Sequence, residues 1–186
     1  MTPTSPDISH QSPNRTYRAD VAAMSEVTGF THRAITLDSI QVTPTAAGHE
    51  MGLTNSWGSP KQTIQPLFTI EASSTETLAV FTDGSPAVAL RRNRRGLDNF
   101  AGVAALTPEL VRTFAQTADV HLFTEVNVAV WAMEGFLSTQ AHMAGPHAIQ
   151  TGRSRTVVDA LTGAKLGRGP SFTLPMEAGD VRVLRY

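Results

Sequence analysis

The 186-residue chain contains no cysteine. That absence excludes disulfides, zinc–thiolate sites and a thiolate nucleophile. An excess of either charge is also missing: 15 Lys and Arg stand against 16 Asp and Glu, a formal charge of −1. Such a balance offers no electrostatic hold on nucleic acid or an anionic membrane, and neither is expected as a partner. No apolar run approaches the roughly 20 residues of a membrane-spanning helix. Met1 is followed by TPTSPDISHQSPN, where no basic stretch leads into an apolar one. It does not read as an export signal, so the default location is the cytoplasm. No cofactor motif occurs, and no cofactor is expected. Aromatics are scarce and just two are tryptophan, so Trp57 and Trp131 each need an account.

What is present begins with a segment that has little to bury. Residues 1–17 are dominated by Ser, Thr, Pro, Asn and Asp and are expected to be a disordered tail. Asp20–Val27 predicts a short helix with Val21, Met24 and Val27 on its inner face, stopped by Gly29. Ile35, Leu37, Ile40 and Val42 suggest a strand. Thr43–Thr63, rich in Gly, Thr, Asn and Pro with Trp57 in its midst, is expected to be a long surface loop. Strands are predicted over 66–71, 77–82 and 86–91, with a tight turn at Asp83-Gly84. Arg91, Arg92, Arg94 and Arg95 then form a basic run. Its bland reading is a solvated turn, and its sharper one an anion or acidic-sugar contact.

The most informative stretch is NFAGVAALTPELVRTFAQTADVHLFTE, residues 99–125. Thr107-Pro108-Glu109 is a helix start in which the hydroxyl caps, the proline needs no N–H, and the carboxylate faces the positive end. Leu110, Val111, Phe114 and Ala118 follow at helical spacing as one buried stripe. With apolar runs on either side, the whole reads as strand–helix–strand, which ordinarily makes parallel neighbours and an α/β layer. Beyond Glu125 the pattern is strands and turns only. Six short strands in about sixty residues suggest a small antiparallel β-sandwich over 126–186. The expected organisation is therefore α/β over 18–125 followed by all-β.

The succession GSPAVALRRNRRG, FAGVAALTPELVRTFAQTADVHLFTEVNVAVWAMEGFLSTQAHMAGPHAI, TVVDALTGAKLG and FTLPMEAGDVRVLRY resembles the C-terminal part of β-galactosidase-type glycoside hydrolases. MSEVTGF similarly resembles the helix that enters their middle domain. The resemblance implies a flavodoxin- or amidotransferase-like α/β layer that has lost its own catalysis and serves oligomerisation, followed by a small sandwich. It covers roughly residues 20–186 and rests on the order of elements, since no single motif is specific. Those enzymes work with two carboxylates on a (β/α)₈ barrel of about 250 residues, which this length cannot hold. No catalytic residue of the family carries over to a position here.

Candidate chemistry is correspondingly thin. Glu134 and Asp159, with Glu125 near in sequence, are the carboxylates of an alternative reading as a small carbohydrate-active enzyme. His142 and His147 flank a turn, but no third ligand stands at diagnostic spacing for a metal. Trp131 is expected to pack in the core or between domains. Trp57, with Arg94 and Arg95, is the candidate for carbohydrate contact, because a free ring on a loop can stack against a sugar. The favoured reading is a non-catalytic accessory or oligomerisation region. Its partners would be a glycoside hydrolase catalytic domain, a polysaccharide, or a second copy docked near Met24 and Trp57. A protein-interaction module unrelated to sugars is the third reading.

Overall fold

The computed structural model describes residues 20–61, 65–73, 75–94, 96–103, 105–126 and 128–186. Both the expected tail at 1–17 and Arg95 lie outside the described residues. Every strand pair described is antiparallel.

Helix α1, Val21–Thr28, forms as its caps dictate. The Asp20 side chain accepts from the Ala23 N–H, and Gly29 closes the helix at φ 72°, a left-handed position that favours glycine. Its expected inner face is only partly realised, because Val21 and Met24 are half-buried while Val27 is 86% exposed. Strand β1, His32–Ile35, pairs with β3, Leu67–Ile70, in a two-stranded sheet. Strand β2, Val42–Pro44, opens a four-stranded sheet of order β2-β4-β5-β6, with β4 at Glu76–Phe81, β5 at Pro86–Asn93 and β6 at Gly96–Ala101. The Asp83-Gly84 turn forms as expected, with Gly84 at φ 83° and Asp83 accepting from the Ser85 amide and hydroxyl.

The segment 43–63 is not an open loop in its described part. It contains the end of β2 and a short helix α2, Ala46–Glu50, capped by Thr45. Backbone hydrogen bonds between Val42 and Trp57 in both directions then return the chain to the sheet. Apolar residues at Leu53 and Trp57 explain this, since both pack against the core formed by Val42, Leu78, Val88 and Leu110.

Helix α3, Pro108–Thr117, has the predicted start: Thr107 Oγ1 accepts from the Leu110 N–H and Pro108 occupies the first turn. Its buried face is rotated from the expected stripe. Leu110 and Thr113 point inward, and Val111 is 52% exposed. The Thr113 hydroxyl explains the rotation, because it donates to the Met51 carbonyl and can be buried with a partner. The parallel strand expected after α3 does not form. Thr124 interrupts the alternation of Val120 and Leu122, and Asp119 turns the chain at φ 55°. Val120 and Val126 end exposed. The strand–helix–strand unit is thus strand, helix and tether.

From Ala129 onward one five-stranded sheet runs in the order β10-β9-β11-β8-β7, with β7 at Ala129–Met133, β8 at Phe136–Gln140, β9 at Gly145–Asp159, β10 at Lys165–Met176 and β11 at Val181–Arg185. Strand β9 runs without a break through the polar stretch 151–155, so five strands stand where six were expected. The β9–β10 register shifts between Gly169 and Ser171, and such an irregularity bends a strand. Residues from both strands of the hairpin, Ile149 and Val157 on β9 and Leu174 on β10, join a single core with Leu137 and Leu184. The result is sandwich-like. This core and the one beneath β2–β6 share no residue.

Candidate functional site

A groove of 630 Å³ lies between α3, the tether and β7. It is lined by Leu106, Pro108, Val111, His121, Val126, Val130, Ala132 and His142, among others. The α3 cap sets one wall, since the turn that positions Thr107 also leaves Leu106 57% exposed beside Val111. The tether forms the floor and is fastened to the second sheet. The Gln150 N–H donates to the Phe123 carbonyl at 2.8 Å, and the Gln150 side-chain amide donates to Glu125 Oε1 at 3.1 Å. The His121 ring stands edge-on to Phe123, with Nε2 3.0 Å from the Gln150 carbonyl oxygen. Gly152 leaves room for that ring, since a Cβ there would sit 3.0 Å from it. His121 is therefore a structural tie. The walls are largely aliphatic, which suits an apolar extended chain better than a polar reaction centre.

The sequence-based candidates lie elsewhere. Trp57 is half-buried against the first core, and its ring N–H donates to the Ala105 carbonyl at 3.1 Å. It is not a free ring on a loop, although one edge lines a small 190 Å³ cavity with Thr54, Asn55 and Glu109. Arg94 lines a separate 590 Å³ hollow with Glu26, Asn93 and Asp98, so these cavities do not bring the two together. Within the basic run, Arg91 departs from the solvated reading. It bridges Asp98, the end of α1 and the Phe30 ring.

Neither carboxylate of the alternative reading is arranged for acid–base work. Glu134 is exposed at the tip of the β7–β8 turn. Asp159 is buried, and one of its oxygens accepts from the backbone N–H groups of Thr162 and Leu161. Those bonds, Thr162's first, outweigh the opposing effect of burial and, with help from Arg182, hold the Asp159 carboxyl below the usual carboxylate range. A general acid in glycoside hydrolysis needs the opposite shift. His142 is exposed at the groove, while His147 is buried with Nε2 3.0 Å from the Met143 carbonyl oxygen. Among the described residues no group of three or more His, Asp or Glu could hold a metal ion.

Trp131, expected to pack, is 62% exposed. The register explains it: Val130 and Ala132 sit opposite Thr139 and Leu137, both buried, which leaves Trp131 and Met133 on the outer face. The sequence pattern offered the same choice, because Val128, Val130 and Ala132 already supplied one apolar face.

No family model matches the chain and no curated protein sequence matches it. Among solved structures the chain is similar to a β-galactosidase from Bacillus circulans sp. alkalophilus, with a TM-score of 0.52 and 19% identity, over 88% of this chain and 25% of that one. At that identity the likeness is one of fold. The chain spans about a quarter of the β-galactosidase that it matches and shares the fold of that part.

Proposed function

We propose that this chain is a non-catalytic accessory region related to the C-terminal part of a β-galactosidase-type glycoside hydrolase, acting beside a catalytic domain. The observation that carries the reading is the fold shared across 88% of this chain with a quarter of such an enzyme. The placement of Asp159 supports it, because that carboxylate is engaged with the turn that follows β9. In this reading residues 18–125 are a reduced relative of the amidotransferase-like layer, in which α3 persists without a parallel strand after it. Residues 126–186 are the terminal sandwich. The buried clusters of residues 18–125 share no residue with that of 126–186, which supports the division. Contact with polysaccharide would use the remaining exposed edge of Trp57 and the Arg94 side chain.

Two measurements test this. The coding sequence adjoining this chain should specify a (β/α)₈ barrel, or a separate barrel protein should bind the chain in trans. Native gels cast with soluble galactans and glucans should retard the chain, and Trp57→Ala or Arg94→Ala should relieve the retardation. Free migration in every gel would remove the polysaccharide contact, and a chain with no barrel partner in cis or in trans would remove the accessory role.

A further inference from the structure

Strand β7 is an edge. It ends the five-stranded order and pairs only with β8 among the described residues, which leaves one row of backbone N–H and C=O groups without a ladder partner. Proteins usually blunt such an edge with charge, proline or a bulge. The strand reads AVWAM, and its register with β8 runs without a shift. It has none of the three. Its outer face is also apolar: Trp131 is 62% exposed, Met133 70%, and Phe136, opposite Met133, 42%. Val181, 54% exposed, continues the face on β11 opposite Gln140. Along the inner side of the same strand runs the aliphatic groove bounded by Val111 and Val126.

We infer that β7 is a self-pairing edge, through which two copies of this chain join in antiparallel fashion about Trp131 to make one continuous sheet. The strand supplies the ligand that its own surroundings require. An incoming strand must be uncharged and extended, with small apolar side chains toward the groove and larger ones outward. A second β7 brings Val130 and Ala132 to the first side and Trp131 and Met133 to the second. Centring the pair on Trp131 sets Ala129 opposite Met133 of the second copy, so outer residues meet outer residues and both faces stay continuous. Every residue of the strand is then paired, and no like charges oppose one another. Trp131 of the two copies then lies side by side on the outer face, each ring covering part of the other's exposed surface. This inference stands apart from the proposed accessory role, and it moves self-association away from Met24 and Trp57, because Trp57 is committed to Val42 and Ala105.

Sedimentation velocity of the purified chain should give a dimer, and Trp131→Lys should halve the measured mass while leaving the circular dichroism spectrum unchanged. The register is tested by cross-linking, which the natural absence of cysteine makes specific. Ala129→Cys chains mixed with Met133→Cys chains should form a covalent dimer under mild oxidation far faster than either variant alone. This cross-link also decides the matter if Trp131→Lys fails to fold. A monomer at every concentration overturns the inference, as does a dimer indifferent to Trp131→Lys or a mixture that cross-links no faster than its parts. A monomer that binds polysaccharide through Trp131 would likewise overturn it and assign the face to sugar.

Discussion

Arg91 and Asp98 face each other across the β5–β6 hairpin, with Nη2 2.6 Å from Oδ2. The same guanidinium donates to the Gly29 carbonyl at 2.6 Å and lies 4.1 Å from the centre of the Phe30 ring. One side chain therefore ties the C-terminus of α1 to the four-stranded sheet. The arginine, helped by the Asn93 amide, holds the Asp98 carboxyl below the usual range.

Replacing Arg91 tests that tie. Arg91→Ala removes a cation–π contact and the donors that cap the last carbonyls of α1, a loss of about 1–2 kcal/mol in unfolding free energy. Arg91→Lys should recover little of it, because an ammonium cannot reproduce the planar fork. Urea unfolding of the three proteins measures both effects, and amide exchange should localise the loosening to residues 21–30.

Acid should act partly through Asp159. Folding holds its carboxyl below the usual carboxylate range, so the unfolded chain takes up the proton more readily. Its stabilising contribution is whole above the unfolded pKa and is lost as pH falls through the folded one. Asp159→Asn should therefore be less stable than the parent at neutral pH, with the gap closing as the pH falls from about 5 through the acid range. Urea midpoints for both proteins across that range give the comparison.

Gly48 is a packing constraint. It is buried in α2, and a Cβ there would lie 2.1 Å from the Leu78 carbonyl oxygen. That oxygen already accepts from the Thr45 N–H, so the clash is with anchored backbone. Gly48→Ala should cost about 2–3 kcal/mol through displacement of α2 from β4. Gly167, whose φ is not in the left-handed region and where a Cβ would meet only Phe172 at 3.8 Å, serves as the control for space. A thermal melt that shows Gly48→Ala as stable as the parent would contradict the close approach.

The two cores should report separately. Leu78 and Leu137, each at most 1% exposed, belong to different clusters, and truncating either to alanine should cost about 2–5 kcal/mol. If residues 18–125 and 126–186 are independent subdomains, calorimetry should resolve two transitions, with Leu78→Ala lowering one and Leu137→Ala the other. A single transition shifted equally by both would join them into one unit.

Local chemistry made several elements legible in the sequence. Gly29, Thr107 and Pro108 act on close neighbours, so the end of α1 and the start of α3 could be read. The Asp83-Gly84 turn was legible for the same reason. Pairing direction was not, because nothing local to 120–126 says that Thr124 and Asp119 would turn the chain away from β6. The unbroken length of β9 was not legible either, because 151–155 has no apolar alternation and only the β10 ladder holds it extended. Arg91 was hidden in a basic run, since its partners Gly29 and Phe30 lie some sixty residues upstream. The groove was not legible because Val111 falls in the helical stripe that the spacing predicts to be buried. Its exposure follows from the turn of α3 about Thr113, which its bond to Met51 decides.

The central claim is that this fold serves beside a catalytic domain and does no glycoside chemistry of its own. A panel of nitrophenyl glycosides incubated with the purified chain tests it most directly. The account predicts release of nitrophenol at the uncatalysed rate for every sugar, unchanged by Glu134→Gln or Asp159→Asn. Turnover above that rate, abolished by either substitution, would contradict it.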